Sequence, residues 1–107
     1  MLERKAREAA RIDGAQADCF AVRVATDDMK NAHIQRGAVV IVRKQRHAGN
    51  GEIVLVAHNG KVCFRYFQEV DGVFYLTAAN NEIVPVIIKA ADDFVILGKV
   101  IEIRFEV

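Results

Sequence analysis

The stretch that decides the fold runs from residue 53 to residue 68 and reads IVLVAHNGKVCFRYFQ. Two segments rich in apolar, β-branched and aromatic side chains flank the dipeptide Asn59-Gly60. Asn-Gly is a strong signal for a β-hairpin, because both residues readily adopt the positive φ angles of a type I′ turn. The stretch therefore predicts a hairpin with strands over 53–57 and 61–68.

Similar patterns on both sides of this hairpin predict further strands. Residues 38–42 form a continuous apolar run, which is typical of a strand covered on both faces. Asp71-Gly72 predicts a second hairpin, and polar residues 27–35 have room for about one helical turn. The other predicted strands are 19–24, 73–76, 86–88 and 94–107, the last bent or bulged around Gly98. Many strands with short turns predict a mainly β fold, an antiparallel sandwich or small barrel.

The N-terminal segment of the chain differs from the β-rich remainder. Residues 2–12 consist of helix-forming residues, and Asp13-Gly14 is a plausible end of a helix. Its apolar positions form one rough stripe, made of Leu2, Ala6, Ala9 and Ile12. Eleven residues are marginal for an isolated helix. We therefore expect residues 1–17 to be a helical arm or linker remnant that needs a partner surface, and residues 18–107 to form one domain.

Composition narrows the class of protein. The 107 residues are 52% hydrophobic, which is enough for a single core. The net charge of +1 argues against an extended nucleic-acid footprint, so we expect no direct nucleic-acid binding by this chain. A continuous run of about 18 apolar residues is absent, and the first dozen residues are charged, so neither a membrane span nor a secretory signal is predicted. We expect a cytoplasmic protein with reduced cysteines.

Metal binding and cofactor binding are not predicted. The three histidines, at positions 33, 47 and 58, lie 14 and 11 residues apart, and Cys19 and Cys63 do not pair with them at zinc-like intervals. The basic loop around Arg43, Lys44 and Arg46 has two readings. It is either a solvated face or a contact for nucleic acid or an acidic partner.

Seven short motifs follow one another between residues 19 and 104. They are a strand at 20–24; Thr26-Asp27-Asp28-Met29; Gly37-Ala38 with the run 39–42; Gly51-Glu52-Ile53-Val54; Asn59-Gly60 with Cys63-Phe64-Arg65-Tyr66; Leu76 to Asn80 with Pro85-Val86; and Gly98-Lys99-Val100. In this order they resemble the C-terminal domain of the LexA, phage repressor and UmuD family of Ser/Lys self-cleaving peptidases, whose fold is related to that of signal peptidase. The resemblance implies a LexA-like β fold.

The two catalytic positions depart from the family pattern. In that family a Ser attacks a backbone carbonyl and a buried neutral Lys takes its proton. The matching positions are Asp28 and Arg65. Arginine keeps its proton at any pH at which proteins fold and so cannot be a neutral base, and attack of a carboxylate on a backbone carbonyl would yield a mixed anhydride. We therefore expect no catalytic residues, and instead an ion pair between Asp28 and Arg65, for which a bidentate contact to both carboxylate oxygens is one geometry. Thr26 is a weaker candidate nucleophile, since its activation is unexplained.

The resemblance implies a catalytically inactive dimerisation or interaction module of a bacterial or phage transcriptional regulator, with a place in the SOS response. Members of the family dimerise through this domain, commonly with the last strand. The candidate interface residues here are Lys99, Ile101, Ile103, Phe105 and Val107. The alternatives are an active self-cleaving peptidase domain and a UmuD-like polymerase accessory subunit. The family's cleavage site and helix-turn-helix would both fall before Met1, so we expect neither within this sequence.

Overall fold

The computed structural model describes residues 18–104 as an antiparallel sheet. Residues 1–17, which include the predicted arm, and residues 105–107 lie outside the described residues. The seven strands are β1 (Cys19–Arg23), β2 (Val39–Lys44), β3 (Ile53–His58), β4 (Lys61–Val70), β5 (Val73–Thr77), β6 (Val86–Ile87) and β7 (Phe94–Arg104), and a short 3₁₀ turn spans Lys30–Ala32. Their order in the sheet is β1-β2-β7-β3-β4-β5-β6. The mainly β, antiparallel prediction is confirmed, with all seven strands hydrogen-bonded into one continuous sheet.

Turn chemistry determines the two hairpins. Asn59 and Gly60 have φ angles of 48° and 85°, and Asp71 and Gly72 have φ angles of 50° and 78°. Two consecutive positive φ angles are the mark of a type I′ turn, whose twist matches that of the flanking strands. Both predicted hairpins, β3–β4 and β4–β5, are therefore confirmed.

The last strand lies inside the sheet. Its predicted role in dimerisation had assumed that it lies at the edge. β7 pairs with β3 through residues 94–99 and with β2 through residues 98–104. Within the described part of the chain, residues 94–97 have no neighbouring strand on the side that faces away from β3, and residues 100–103 have none on the side that faces away from β2. The prediction of an edge therefore holds for parts of β7 alone, and we call the second of these sides, at residues 100–103, the open flank of β7.

The predicted irregularity around Gly98 is confirmed. Leu97 and Ile101 are extra residues on β7, without direct partners on β3 and β2 respectively, so Gly98 lies between two bulges. A Cβ atom on Gly98 would lie 2.4 Å from the Arg43 carbonyl oxygen and 2.4 Å from Val42 Cγ1. Glycine is needed here because the neighbouring backbone passes too close for any side chain.

Alternation along the strands distributes the core over the two faces of the sheet. One face carries the largest cluster, which includes Val22, Val40, Val42, Leu55 and Met29. The opposite face carries two smaller clusters, one around Val54, Val56, Phe67, Leu76 and Ile96, the other made of Cys19, Ala21, Val39 and Ile41. Because β2 contributes to both faces, the whole run from Val39 to Val42 is buried, as predicted. Among residues 18–104, no helix is long and apolar enough to cross a membrane.

Candidate functional site

The loop after β1 carries Asp28 in a compact turn. The Asp28 amide donates a hydrogen bond to Thr26 Oγ1 at 3.3 Å, and the Lys30 amide donates to the Asp27 carbonyl at 3.2 Å. Met29 points inward and is 2% exposed. These local bonds turn the chain so that Asp28 stays partly exposed while its neighbour anchors the loop.

A second segment, residues 78–80, holds this loop in place. The Asn31 amide donates to the Ala79 carbonyl at 2.8 Å, and the Ala79 amide donates to Met29 Sδ at 3.1 Å. The Asn80 side-chain amide donates to the Asp27 carbonyl at 3.0 Å. Asp28 is therefore positioned by hydrogen bonds on both sides of it along the chain.

Arg65 approaches Asp28 from β4, where it lies opposite Val54 of β3. Its Nη1 donates to Asp28 Oδ2 at 3.1 Å and to the Phe64 carbonyl at 2.8 Å. The side chains of Arg65 and Asp28 are 14% and 29% exposed. The predicted ion pair is therefore present and half-buried. It is a single contact between Nη1 and Oδ2, not a bidentate contact to both carboxylate oxygens.

The pair is suited to holding charge rather than to moving protons. A guanidinium keeps its proton throughout the pH range in which proteins fold, so Arg65 donates but cannot accept. Because Asp28 faces this permanent cation, each charge compensates the other at a site where an unpaired charge would be costly. The arrangement joins the loop after β1 to strand β4.

Cys63 is a neighbour of this pair that the sequence reasoning overlooked. It lies two residues before Arg65 on β4, and side chains two apart on a strand share a face. Burial raises the pKa of the Cys63 thiol; Arg65 lowers it and Asp28 raises it again by smaller amounts. Since the thiolate is the reactive form, this raised pKa leaves Cys63 a poor nucleophile near neutral pH. The sequence signal that could have placed Cys63 beside the pair is its spacing of two residues from Arg65 on a strand.

Thr26, the second candidate nucleophile, lies in the loop after β1. Its Oγ1 accepts a hydrogen bond from the Asp28 amide, a donor that cannot take a proton from the hydroxyl. The contact contributes to the turn and gives no activation of Thr26 as a nucleophile.

The residues predicted to form a dimer interface have different environments. Lys99 Nζ forms an ion pair with Glu52 Oε2 at 2.8 Å, and hydrogen bonds from Lys99 and from the Gly49 amide lower the pKa of Glu52. Ile103 packs against the largest cluster, whereas Ile101 is 40% exposed at the bulge. The two remaining candidates, Phe105 and Val107, lie outside the described residues.

The prediction of a loop that includes Arg43 and Lys44 is wrong, because both residues end strand β2 and are exposed there. Arg46 lies in the loop that follows, and its Nη1 donates to the Ile96 carbonyl at 3.2 Å. Of the histidines, His58 contacts Asp92 through Nε2 and Oδ2 at 3.0 Å. Within residues 18–104, no three His, Cys, Asp or Glu side chains come together as a metal site would require.

Comparison with known proteins gives a consistent result. The family model described as Peptidase S24-like matches residues 2–101. Among curated proteins, the LexA repressor of Geotalea uraniireducens is 41% identical over 86 residues, which is 78% of this chain and 42% of that protein. The LexA repressor of Ligilactobacillus salivarius is also 41% identical over 86 residues, covering 78% of this chain and 40% of that protein. That of Magnetococcus marinus is 33% identical over 90 residues, covering 84% and 39%. The chain thus spans about two-fifths of the length of these relatives.

Proposed function

The chain belongs to the S24-like peptidase family, and from this premise we propose that it is a catalytically inactive LexA-like domain that serves as a dimerisation or interaction module of a bacterial or phage transcriptional regulator. The observation that carries the inactivity is the 3.1 Å contact between Asp28 and Arg65, the positions that match the family's Ser and Lys. The two residues meet, as the nucleophile and base would, but neither has the chemistry of the residue that it replaces.

The paired change has a physical reason. Arg65 alone beside a serine, or Asp28 alone beside a neutral lysine, would leave a half-buried charge without a partner. With both replaced, the site is neutral and its hydrogen bonds are made. This favours a stable structural contact at a site that has lost its reaction.

The role in a regulator is supported by the relatives, each of which carries the name LexA repressor. This chain corresponds to about two-fifths of such a protein, so the proposed role is that of one module. A bacterial or phage regulator of transcription acts in the cytoplasm, and the proposal places this chain there.

The open flank of β7 supports a two-fold contact between copies. Among the described residues no strand lies beside residues 100–103 on this side, so the flank is a template for another strand, and a second copy related by a two-fold axis would pair the same residues with themselves. Ile101, which is 40% exposed beside this flank, supplies apolar surface to the contact. Lys99 lies outside the proposed contact because it already pairs with Glu52.

Inactivity is tested by cleavage in trans. A peptide containing a LexA-type Ala-Gly bond is incubated with the chain at alkaline pH, with the LexA repressor of Geotalea uraniireducens as the positive control. We expect no cleavage by this chain, and any turnover that depends on Asp28 would contradict the proposal in favour of an active peptidase. The double variant Asp28→Ser, Arg65→Lys shows in parallel whether restoring the pair restores cleavage.

Dimerisation is tested by sedimentation of the chain at micromolar concentration. We expect a dimer that Ile101→Glu dissociates. The matched control is Val95→Glu, which places the same charge on the same strand at a residue that is 37% exposed but lies outside the open flank, opposite Ala57 of β3. A wild-type chain that sediments only as a monomer would contradict the dimer. A pull-down that recovers a polymerase instead of a regulator would favour the UmuD-like accessory role.

A further inference from the structure

A cavity of about 220 Å³ lies on the face of the sheet that carries the cluster around Phe67, and we call it the aromatic cavity. Three phenylalanine rings line it in a row. The ring centroids of Phe67 and Phe74 are 5.2 Å apart, those of Phe74 and Phe94 are 5.8 Å apart, and both pairs are tilted. Phe67 is buried, whereas Phe74 and Phe94 are partly exposed. Part of this aromatic surface is therefore open to a further ring.

Three side chains that carry a charge or can take one up also line the aromatic cavity, namely Arg46, His47 and Glu69. The Arg46 guanidinium is held at its wall by one hydrogen bond, from Nη1 to the Ile96 carbonyl at 3.2 Å. Among residues 18–104, neither Arg46 nor Glu69 forms an ion pair, with each other or with another side chain. Since a guanidinium has several N–H donors, those that Ile96 does not use are available to an anion in the cavity.

The volume of the cavity limits the size of a ligand. An apolar cavity of about 150 Å³ holds benzene, whereas drug-sized ligands occupy sites of about 300–1,000 Å³. The aromatic cavity lies between these sizes, so it has room for a single ring with a short substituent. A peptide segment, with its backbone and several side chains, exceeds this volume.

We propose that the aromatic cavity binds a small aromatic carboxylate, with its ring against the phenylalanines and its carboxylate on the Arg46 guanidinium. Contact between rings stabilises binding beyond the burial of apolar area, and a carboxylate accepts charge-assisted hydrogen bonds from a guanidinium. Glu69 repels a second negative charge, so a monoanion is favoured over a dianion. Neither Asp28 nor Arg65 lines the cavity, so this binding does not depend on the site that is proposed to be inactive.

Binding is tested with phenylacetate, which has one ring and one carboxylate. The isotope-labelled full chain is titrated at neutral pH, and the shifts of its backbone amides are followed by NMR. We expect saturable shifts at residues that line the cavity, such as Ala48, Phe74 and Phe94. The dissociation constant should be about 1–5 mM, as is typical of a ligand with about ten non-hydrogen atoms. Phenylacetamide, a neutral analogue of the same shape, should bind at least about fivefold more weakly, because it lacks the charge that Arg46 recognises.

Variants with a changed charge test the contact with the carboxylate. Arg46→Gln should weaken phenylacetate binding by about fivefold or more, because the charge-assisted hydrogen bond is lost. The matched control is Arg43→Gln, which removes the same charge from an exposed residue at the end of β2, outside the cavity. It should change the dissociation constant by less than about twofold. Glu69→Gln removes the repulsive carboxylate and should strengthen binding by about twofold or more.

Four results would overturn the proposal. The first is the absence of saturable shifts at the cavity up to about 20 mM phenylacetate, several times the expected dissociation constant. The second is a set of shifts centred on Arg65, the other guanidinium in a partly buried site. The third is equal binding of phenylacetate and phenylacetamide to the wild type, a comparison that does not depend on how any variant folds. The fourth is tighter binding of a short peptide that ends in phenylalanine, since the ring and carboxylate would then belong to a protein partner.

Discussion

Replacing Asp28 and Arg65 singly and together measures what their contact contributes to stability. Asp28→Asn keeps the size of the side chain and removes its charge, while Arg65→Met keeps the apolar stem and removes the guanidinium. The double variant removes both charges. The coupling energy of the pair is the sum of the stability losses in the two single variants minus the loss in the double variant.

The magnitude follows from the geometry. Two unit charges about 4 Å apart attract by about 4 kcal/mol at an effective dielectric constant of about 20. Desolvation offsets much of this for side chains that are 14% and 29% exposed. Exposed pairs give about 0.2–1 kcal/mol and charge-assisted hydrogen bonds about 1.5–3 kcal/mol, so we expect a coupling of about 1.5 kcal/mol. Arg65→Met should cost about 1 kcal/mol more, because the Phe64 carbonyl also loses its donor.

Urea unfolding of the four chains gives the free energies, and a loss of 1.5 kcal/mol should lower the Tm by about 6 °C. The matched control is the pair between Arg36 and Asp27, which meets at 3.4 Å with side chains 63% and 57% exposed. Its coupling should stay below about 0.5 kcal/mol. A coupling between Asp28 and Arg65 no larger than that of the control would refute the view that burial makes this contact a stabilising one.

Two further predictions concern other parts of the sheet. The pKa of Asp92 is lowered to about 2, chiefly by the hydrogen bond from the Lys89 amide and then by His58. Because the folded-state pKa lies below the unfolded one, the stabilisation is present above about pH 4 and is lost as the pH falls toward 2, so urea midpoints should fall over that window in the wild type and less in Asp92→Asn. Gly98→Ala would bring a Cβ to 2.4 Å from the Arg43 carbonyl oxygen, and we expect a loss of about 3 kcal/mol, visible as a fall in Tm. Substituting an exposed residue of β7 such as Val95 by Ala should have a much smaller effect, and an equal fall in both variants would contradict the close approach at Gly98.

Local features of the fold could be predicted from the sequence because they depend on local chemistry. Asn59-Gly60 and Asp71-Gly72 adopt positive φ angles wherever they occur in tight hairpins, so the turns determine the register of β3, β4 and β5. The place of β7 could not be predicted in this way. Alternating side chains show that residues 94–104 form a strand, but they do not show which strands pair with it.

The site shows the same division between local and distant information. Asp28 and Arg65 are 37 residues apart, and only the resemblance to a family brought them together in the prediction. In the structure, Asp28 is held near Arg65 because its neighbour Met29 is anchored by a hydrogen bond from the Ala79 amide to Met29 Sδ. No sequence pattern predicts that bond. Cys63, by contrast, could have been placed beside the pair by strand periodicity alone.

The insertion of β7 between β2 and β3 affects how the chain folds as it is synthesised. Strands β1 and β2 form one half of the sheet and β3 to β6 the other, and β7 is the strand that hydrogen-bonds to both. At about 5–20 residues per second, the ribosome adds the roughly fifty residues from Lys44 to Phe94 in about 3–10 s. During that time β2 and β3 expose the edges that β7 will later occupy. Assembly of the sheet is therefore completed from its middle, when β7 joins the two halves, and until then both edges can pair with another chain.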